Sequence, residues 1–137
     1  MRSLVARTAM AAVLGVAASL ASAHHSFAMF DQTRQVTVIG EVAEVQWTNP
    51  HVWVFLDGAT AGGKKARWGV EFTSKVHLTR RNFTSDMVKV GDHVEFTVNP
   101  YRDGKPGGRF VAVKMANGKY YCDVGQAAQV FCQADSK

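Results

Sequence analysis

Three histidines, His24, His25 and His51, are the side chains best suited to chemistry in this chain. Nitrogen ligands of this kind suit copper best among the common divalent ions. His24 stands out because of what precedes it. Ala21-Ser22-Ala23 is a small-x-small site of the kind signal peptidase cuts. Cleavage there gives His24 a free α-amino group beside its own imidazole. An amine and an imidazole on one residue chelate Cu(II), and a nitrogen from His51 or His25 completes a T-shaped site. His51 ends the run Trp47-Thr48-Asn49-Pro50-His51, where proline restrains the backbone and can keep a side chain still. The expected metal ligands are thus His24, His25 and His51, and the one cofactor they suggest is copper. The plainer alternatives are polar residues behind a cleavage site and a strand-end histidine bonded to a backbone carbonyl.

Three tryptophans are the other candidates. Trp47, Trp53 and Trp68 can form a stacking platform for a ligand, with Asn49 as a polar contact beside Trp47 and Trp53. Aromatic residues on strands also serve as core. His77 and His93 fall at positions expected to face solvent. Catalysis has no motif to rest on: there is no Gly-x-Ser-x-Gly elbow and no phosphate-binding glycine loop. Glu41 and Glu44 are close in sequence but read as lying on opposite strand faces, so they are not expected to pair for acid–base work. The protein is expected not to be an enzyme.

Arg2 and Arg7 precede an uncharged apolar stretch at residues 10–20. That is the length of a signal-peptide core and about half of the roughly 20 residues a spanning helix needs. Residues 1–23 are therefore expected to be a signal peptide. No later segment reads as a membrane span, so no insertion is expected after cleavage, and the location is the periplasm or outside the cell. Of 16 Lys and Arg, the leader takes two, leaving 14 against 11 acids, a net +3. So small a charge is no footprint for nucleic acid, and none is expected as a partner. Cys122 and Cys132 are the only cysteines. In an oxidising compartment they favour a disulfide. A zinc-type dithiol would space its cysteines more closely.

These side chains must be positioned by short strands. Alternation over residues 35–47, with Gly40 marking a bulge, reads as a long bent first strand. A second run covers residues 51–56 and closes at Asp57-Gly58. A third, over 66–73, puts Trp68, Val70 and Phe72 on one face. Thr73 or Ser74 caps a short helix over 75–82 with Leu78 inward. Lys89-Val90-Gly91-Asp92 turns into a fourth strand carrying Val94, Phe96 and Val98. A fifth strand covers 110–115, and Asn117-Gly118 makes a hairpin turn back towards 119–121. Five strands with one helix between the third and fourth is the order of a small barrel of the oligonucleotide/oligosaccharide-binding type, mainly β. The expected division is a leader at 1–23, a barrel domain at 24–121 and a cysteine-bearing tail at 122–137.

The motifs Ala23-His24-His25-Ser26-Phe27, Phe30-Asp31, Gly40-x-Val42 and Trp47-x-Asn49-Pro50-His51 resemble those of a bacterial exported family known as domain of unknown function 6152. Trp68-x-Val70-Glu71, Leu78, Lys89-x-Gly91-Asp92-x-Val94 and Pro100-x-x-Asp103-Gly104 fit the same pattern, so the likeness spans residues 23–118. It implies a periplasmic or secreted domain with no established activity. Members commonly carry glycine just after the helix, where this chain has Asn82, a residue that also tolerates the left-handed conformation. The tail from Cys122 onwards departs from the pattern. The functional expectation is a non-enzymatic binding domain with an N-terminal histidine site for copper or another transition metal. The alternative is a periplasmic module whose barrel face binds a small molecule, a glycan or an unidentified protein partner.

Overall fold

The computed structural model describes residues 25–123. The expected leader, His24, and the tail beyond Asp123 with Cys132 lie outside the described residues. In chain order the elements are α1 (His25–Ala28), β1 (Val36–Gln46), β2 (Trp53–Thr60), β3 (Ala66–Glu71), α2 (Lys75–Arg80), β4 (His93–Pro100), β5 (Gly107–Met115) and β6 (Tyr120–Cys122). The strands lie in the order β3-β2-β1-β4-β5-β6, and a further β3–β5 pairing closes the first five into a barrel. That closing pair is parallel, while the others are antiparallel. The fold is the expected one, with β6 added on the outer side of β5.

β1 holds the barrel together because it pairs with β2 and with β4. To do so it must bend, and the bend is not where glycine suggested. Gly40 keeps regular register with Gly58 on one side and Val94 on the other. The irregularity falls between Val42 and Glu44, where the buried positions change parity: Val38, Gly40 and Val42 are buried, and beyond the irregularity Val45 packs on the core. The same shift leaves both Glu41 and Glu44 exposed, so the expectation that they take opposite faces is corrected by the bulge between them. Gly40 serves close approach instead. A Cβ there would lie 2.5 Å from the Asp57 carbonyl oxygen and 2.6 Å from the Gly58 Cα. For the same reason Asp57-Gly58 is not a turn: β2 runs through it to Thr60, with two glycines facing each other across the ladder.

The barrel interior is filled by Val38, Val42, Val54, Leu56, Val70, Phe72, Val94, Phe96, Val98, Phe110 and Val113, all nearly inaccessible to water. Leu78, Phe83 and Val88 join the same cluster from the segment between β3 and β4. Ser74 is the N-cap of α2, its Oγ accepting from the His77 N–H. The helix ends two residues earlier than expected, in a Schellman arrangement. Asn82 N–H donates to Thr79 O at 3.0 Å and Phe83 N–H to Leu78 O at 3.0 Å, with Asn82 left-handed at φ 58°. This hydrogen bonding brings Phe83 back over Leu78 and into the core.

Candidate functional site

The site grows out of the β2–β3 ladder. Phe72 N–H donates to Val52 O and Val52 N–H to Thr73 O, at 2.9 and 3.2 Å, so pairing continues past the ends of both strands. Side chains alternate across a strand. With Val52, Val54 and Leu56 buried inside, His51, Trp53, Phe55 and Asp57 take the outer face. Cross-strand register sets Trp53 opposite Glu71, Phe55 opposite Gly69 and Asp57 opposite Arg67. An outward carboxylate belongs in water, yet Glu71 is only 8% exposed and is the one buried charged residue among those described.

Its cover comes from the N-terminal arm. Asp31 N–H donates to Pro100 O at 2.8 Å, Arg102 N–H to Met29 O at 2.9 Å, and Arg102 Nε to Ala28 O at 3.1 Å. Phe30 stacks on Tyr101, ring centroids 5.0 Å apart. The arm is thereby fastened to the end of β4. Phe27 and Phe30 then share a cleft of about 100 Å³ with His51, Glu71, Phe72, Thr73 and Arg109. Thr33 bonds the Asp31 carboxylate through its hydroxyl and its N–H, holding that group below the usual carboxylate range.

Within this cleft His51 Nδ1 pairs with Glu71 Oε1. An ionised carboxylate oxygen only accepts, so Nδ1 is the donor of the pair and Nε2 is the ring's other nitrogen. Glu71 lies opposite Arg109 across the β3–β5 seam. Arg109 reaches Asp123 at 3.4 Å, Arg81 reaches the same carboxylate at 2.8 Å, and the Arg109 guanidinium sits 4.7 Å above the Phe27 ring. Burial, and then the negative charges of Glu71 and Asp103, push the Tyr101 phenol above its ordinary value of 10.0. A histidine whose one ring nitrogen is paired with a buried carboxylate is the arrangement in which metal-ligating histidines are commonly held.

Of the residues singled out from sequence, the structure puts His51 in this cleft. His24 lies outside the described residues. His25 begins α1, and its side chain lies outside what is described. Trp47 packs against the core and stacks on Phe83 at 6.4 Å. Asn49 is exposed and joined to Pro50 by a cis peptide. Trp53 lies next along the outer face, stacked on Phe55 at 6.0 Å in a second, larger cleft. Cys122 ends β6, and its expected bond to Cys132 reaches outside the described residues. Among the described residues no three His, Cys, Asp or Glu side chains are grouped to hold a metal ion, and no helix is long and apolar enough to cross a membrane. Sequence reasoning missed Glu71, Arg109 and Asp123. Glu71 alternates with Val70 and Phe72 and so reads as an ordinary solvent-facing acid, since no local signal reveals the arm above it.

A closed five-stranded barrel with its helix between β3 and β4, and its polar and aromatic side chains gathered on the outer face of β2 and β3, is an oligonucleotide/oligosaccharide-binding barrel in architecture. Within that class the chain belongs to the Family of unknown function (DUF6152), whose model matches residues 11–110. Comparison with curated proteins and with solved structures gave no match.

Proposed function

We propose that this protein is an exported, non-enzymatic binding domain that holds copper, or a similar transition-metal ion, through its processed N-terminus. In this reading, cleavage after Ala23 frees the His24 amine, which chelates together with its own imidazole. His51 Nε2, or His25, supplies the further nitrogen. Cys122 and Cys132 form a disulfide that fastens the tail in the oxidising compartment. The observation that carries the reading is the His51–Glu71 pair beneath the arm. It supports the reading because an imidazole paired with a buried carboxylate lies in the cleft that Phe27 and Phe30 line, on the arm leading back to His24. Orienting a ligand in advance removes part of the ordering cost of binding.

The test is copper titration, followed by electron paramagnetic resonance, of protein whose intact mass confirms a start at His24. A nitrogen-rich Cu(II) spectrum is expected. It should be lost in His24→Ala and when one residue is left ahead of His24. Affinity should fall about 10- to 100-fold in Glu71→Gln, the range typical when a ligand's supporting partner is removed. Equal affinity in the native, extended and His24→Ala proteins refutes the reading.

A further inference from the structure

The second cleft on the same outer face has its own chemistry and does not depend on the metal. It measures about 620 Å³, within the range of small-molecule sites. Its floor is the Trp53 and Phe55 rings, stacked with planes 13° apart. Opposite Phe55 stands Gly69, where a Cβ would come 3.3 Å from Phe55 Cε1 and 3.6 Å from Trp53 Cζ3. Glycine there lets both rings lie against the sheet as a broad apolar platform. Tyr101, Pro106 and Met29 wall it in, and Met29 is 47% exposed, an apolar side chain on the arm left facing water.

The rim is positive. Arg67, Arg102 and Lys105 line it against one carboxylate, Asp103. Lys105 pairs with Asp103 and Arg67 with Asp57. Arg102 uses only Nε, on the neutral Ala28 carbonyl, and has no ion pair among the described residues. Asp31 feels its charge at longer range, but no carboxylate among the described residues is in direct contact with the guanidinium. A flat ring system stacks on such a floor through dispersion and its quadrupole, and a guanidinium binds a carboxylate with two donors at fixed geometry.

We propose that this cleft binds a small organic anion with a flat apolar body and one carboxylate end, the body on Trp53 and Phe55 and the carboxylate at Arg102. Trp53 is the cross-strand neighbour of Glu71, so the site adjoins the proposed metal ligands but shares none of them.

The experiment is calorimetric titration of metal-free protein with 2-naphthoate and with 2-naphthylmethanol, the same ring without the charge. Metal-free protein keeps this outcome separate from that of the copper reading. Naphthoate is expected to bind about tenfold or more tightly than the alcohol, the worth of one charge-assisted contact. Arg102→Gln should abolish that preference, while any loosening of the arm through the lost bond to Ala28 weakens both probes alike. Trp53→Ala should weaken both by about tenfold, the scale of a lost ring stack. Because Trp53 faces outward, its circular dichroism and melting point should stay near wild type. Gly69→Val, which crowds the platform from below, gives a second variant should Trp53→Ala misfold. Equal affinity for the two probes overturns the proposal, and so does naphthoate binding indifferent to both platform variants. Self-association blocked by naphthoate, with no preference over the alcohol, would assign the face to a second copy of the chain and equally overturn it.

Discussion

At the scale of single residues, the His51–Glu71 pair shows how an outward carboxylate comes to be buried with a partner. Burying a carboxylate is costly unless it is paired, and here His51 touches it and Arg109 stands across the seam. Tyr101 reports on this charge. Its phenol is raised first by burial and then by Glu71 and Asp103. The folded state therefore holds that proton more tightly than the unfolded chain does. The resulting stability is present below the ordinary phenol value and is lost as pH rises through the raised one. Absorbance at 295 nm should show a tyrosine ionisation step above the ordinary phenol value, that of Tyr101. In Glu71→Gln that late step should move down while staying above the ordinary value, because burial remains. A titration with no step above the ordinary phenol value would contradict this assignment.

At the scale of elements, β1 and β2 can cross as they do only because two glycines meet at Gly40 and Gly58. Alanine at position 40 would push its Cβ into the Asp57 carbonyl, which is backbone and cannot swing aside. Gly40→Ala should therefore destabilise the barrel by about 3 kcal/mol or more, the upper range for overpacking against an immovable neighbour. Urea unfolding would show a lower midpoint with an unchanged slope. Ala at Gly62, in the loop after β2, meets nothing within 4 Å. It should cost only the strain of its left-handed backbone, about 1–2 kcal/mol. Equal losses at the two positions would mean that the close crossing is not what glycine serves at Gly40.

At the scale of the molecule, closure rests on a short parallel seam of three residue pairs, Gly69–Gly107, Val70–Gly108 and Glu71–Arg109. Ring packing behind it supplies what so few hydrogen bonds cannot. Phe72 and Phe110 stack at 4.1 Å, while Phe83 and Phe96 flank both rings. Phe72→Ala should cost about 3–5 kcal/mol, as for other buried phenylalanines. The loss should appear in hydrogen exchange as reduced protection at the β3–β5 amides. Global destabilisation with the seam amides still the most protected would show that closure does not depend on this cluster.

Local pattern carried much of this protein. Strand alternation, the Ser74 cap, the Gly91-Asp92 turn, the Asn117-Gly118 hairpin and Asn82 as the helix stop all act within a few residues, where sequence spacing and three-dimensional position coincide. The parity change from Val38 and Val42 to Val45 and Trp47 also lies in the sequence, but the position of its bulge does not, because a glycine that permits close approach looks the same as one that kinks a strand. The sequence by itself thus determined the strands, the helix between the third and fourth, and the interest of His51. Only the tertiary structure decided that Glu71 would be buried, that Trp47 and Trp53 would part to different surroundings, and that Phe27 and Phe30 would share a cleft with His51. Each of these turns on a contact between segments far apart in the chain, above all the arm packed across the outer face of β2 and β3. Burial there is set by what lies on top of a residue, and a period along one strand cannot encode that.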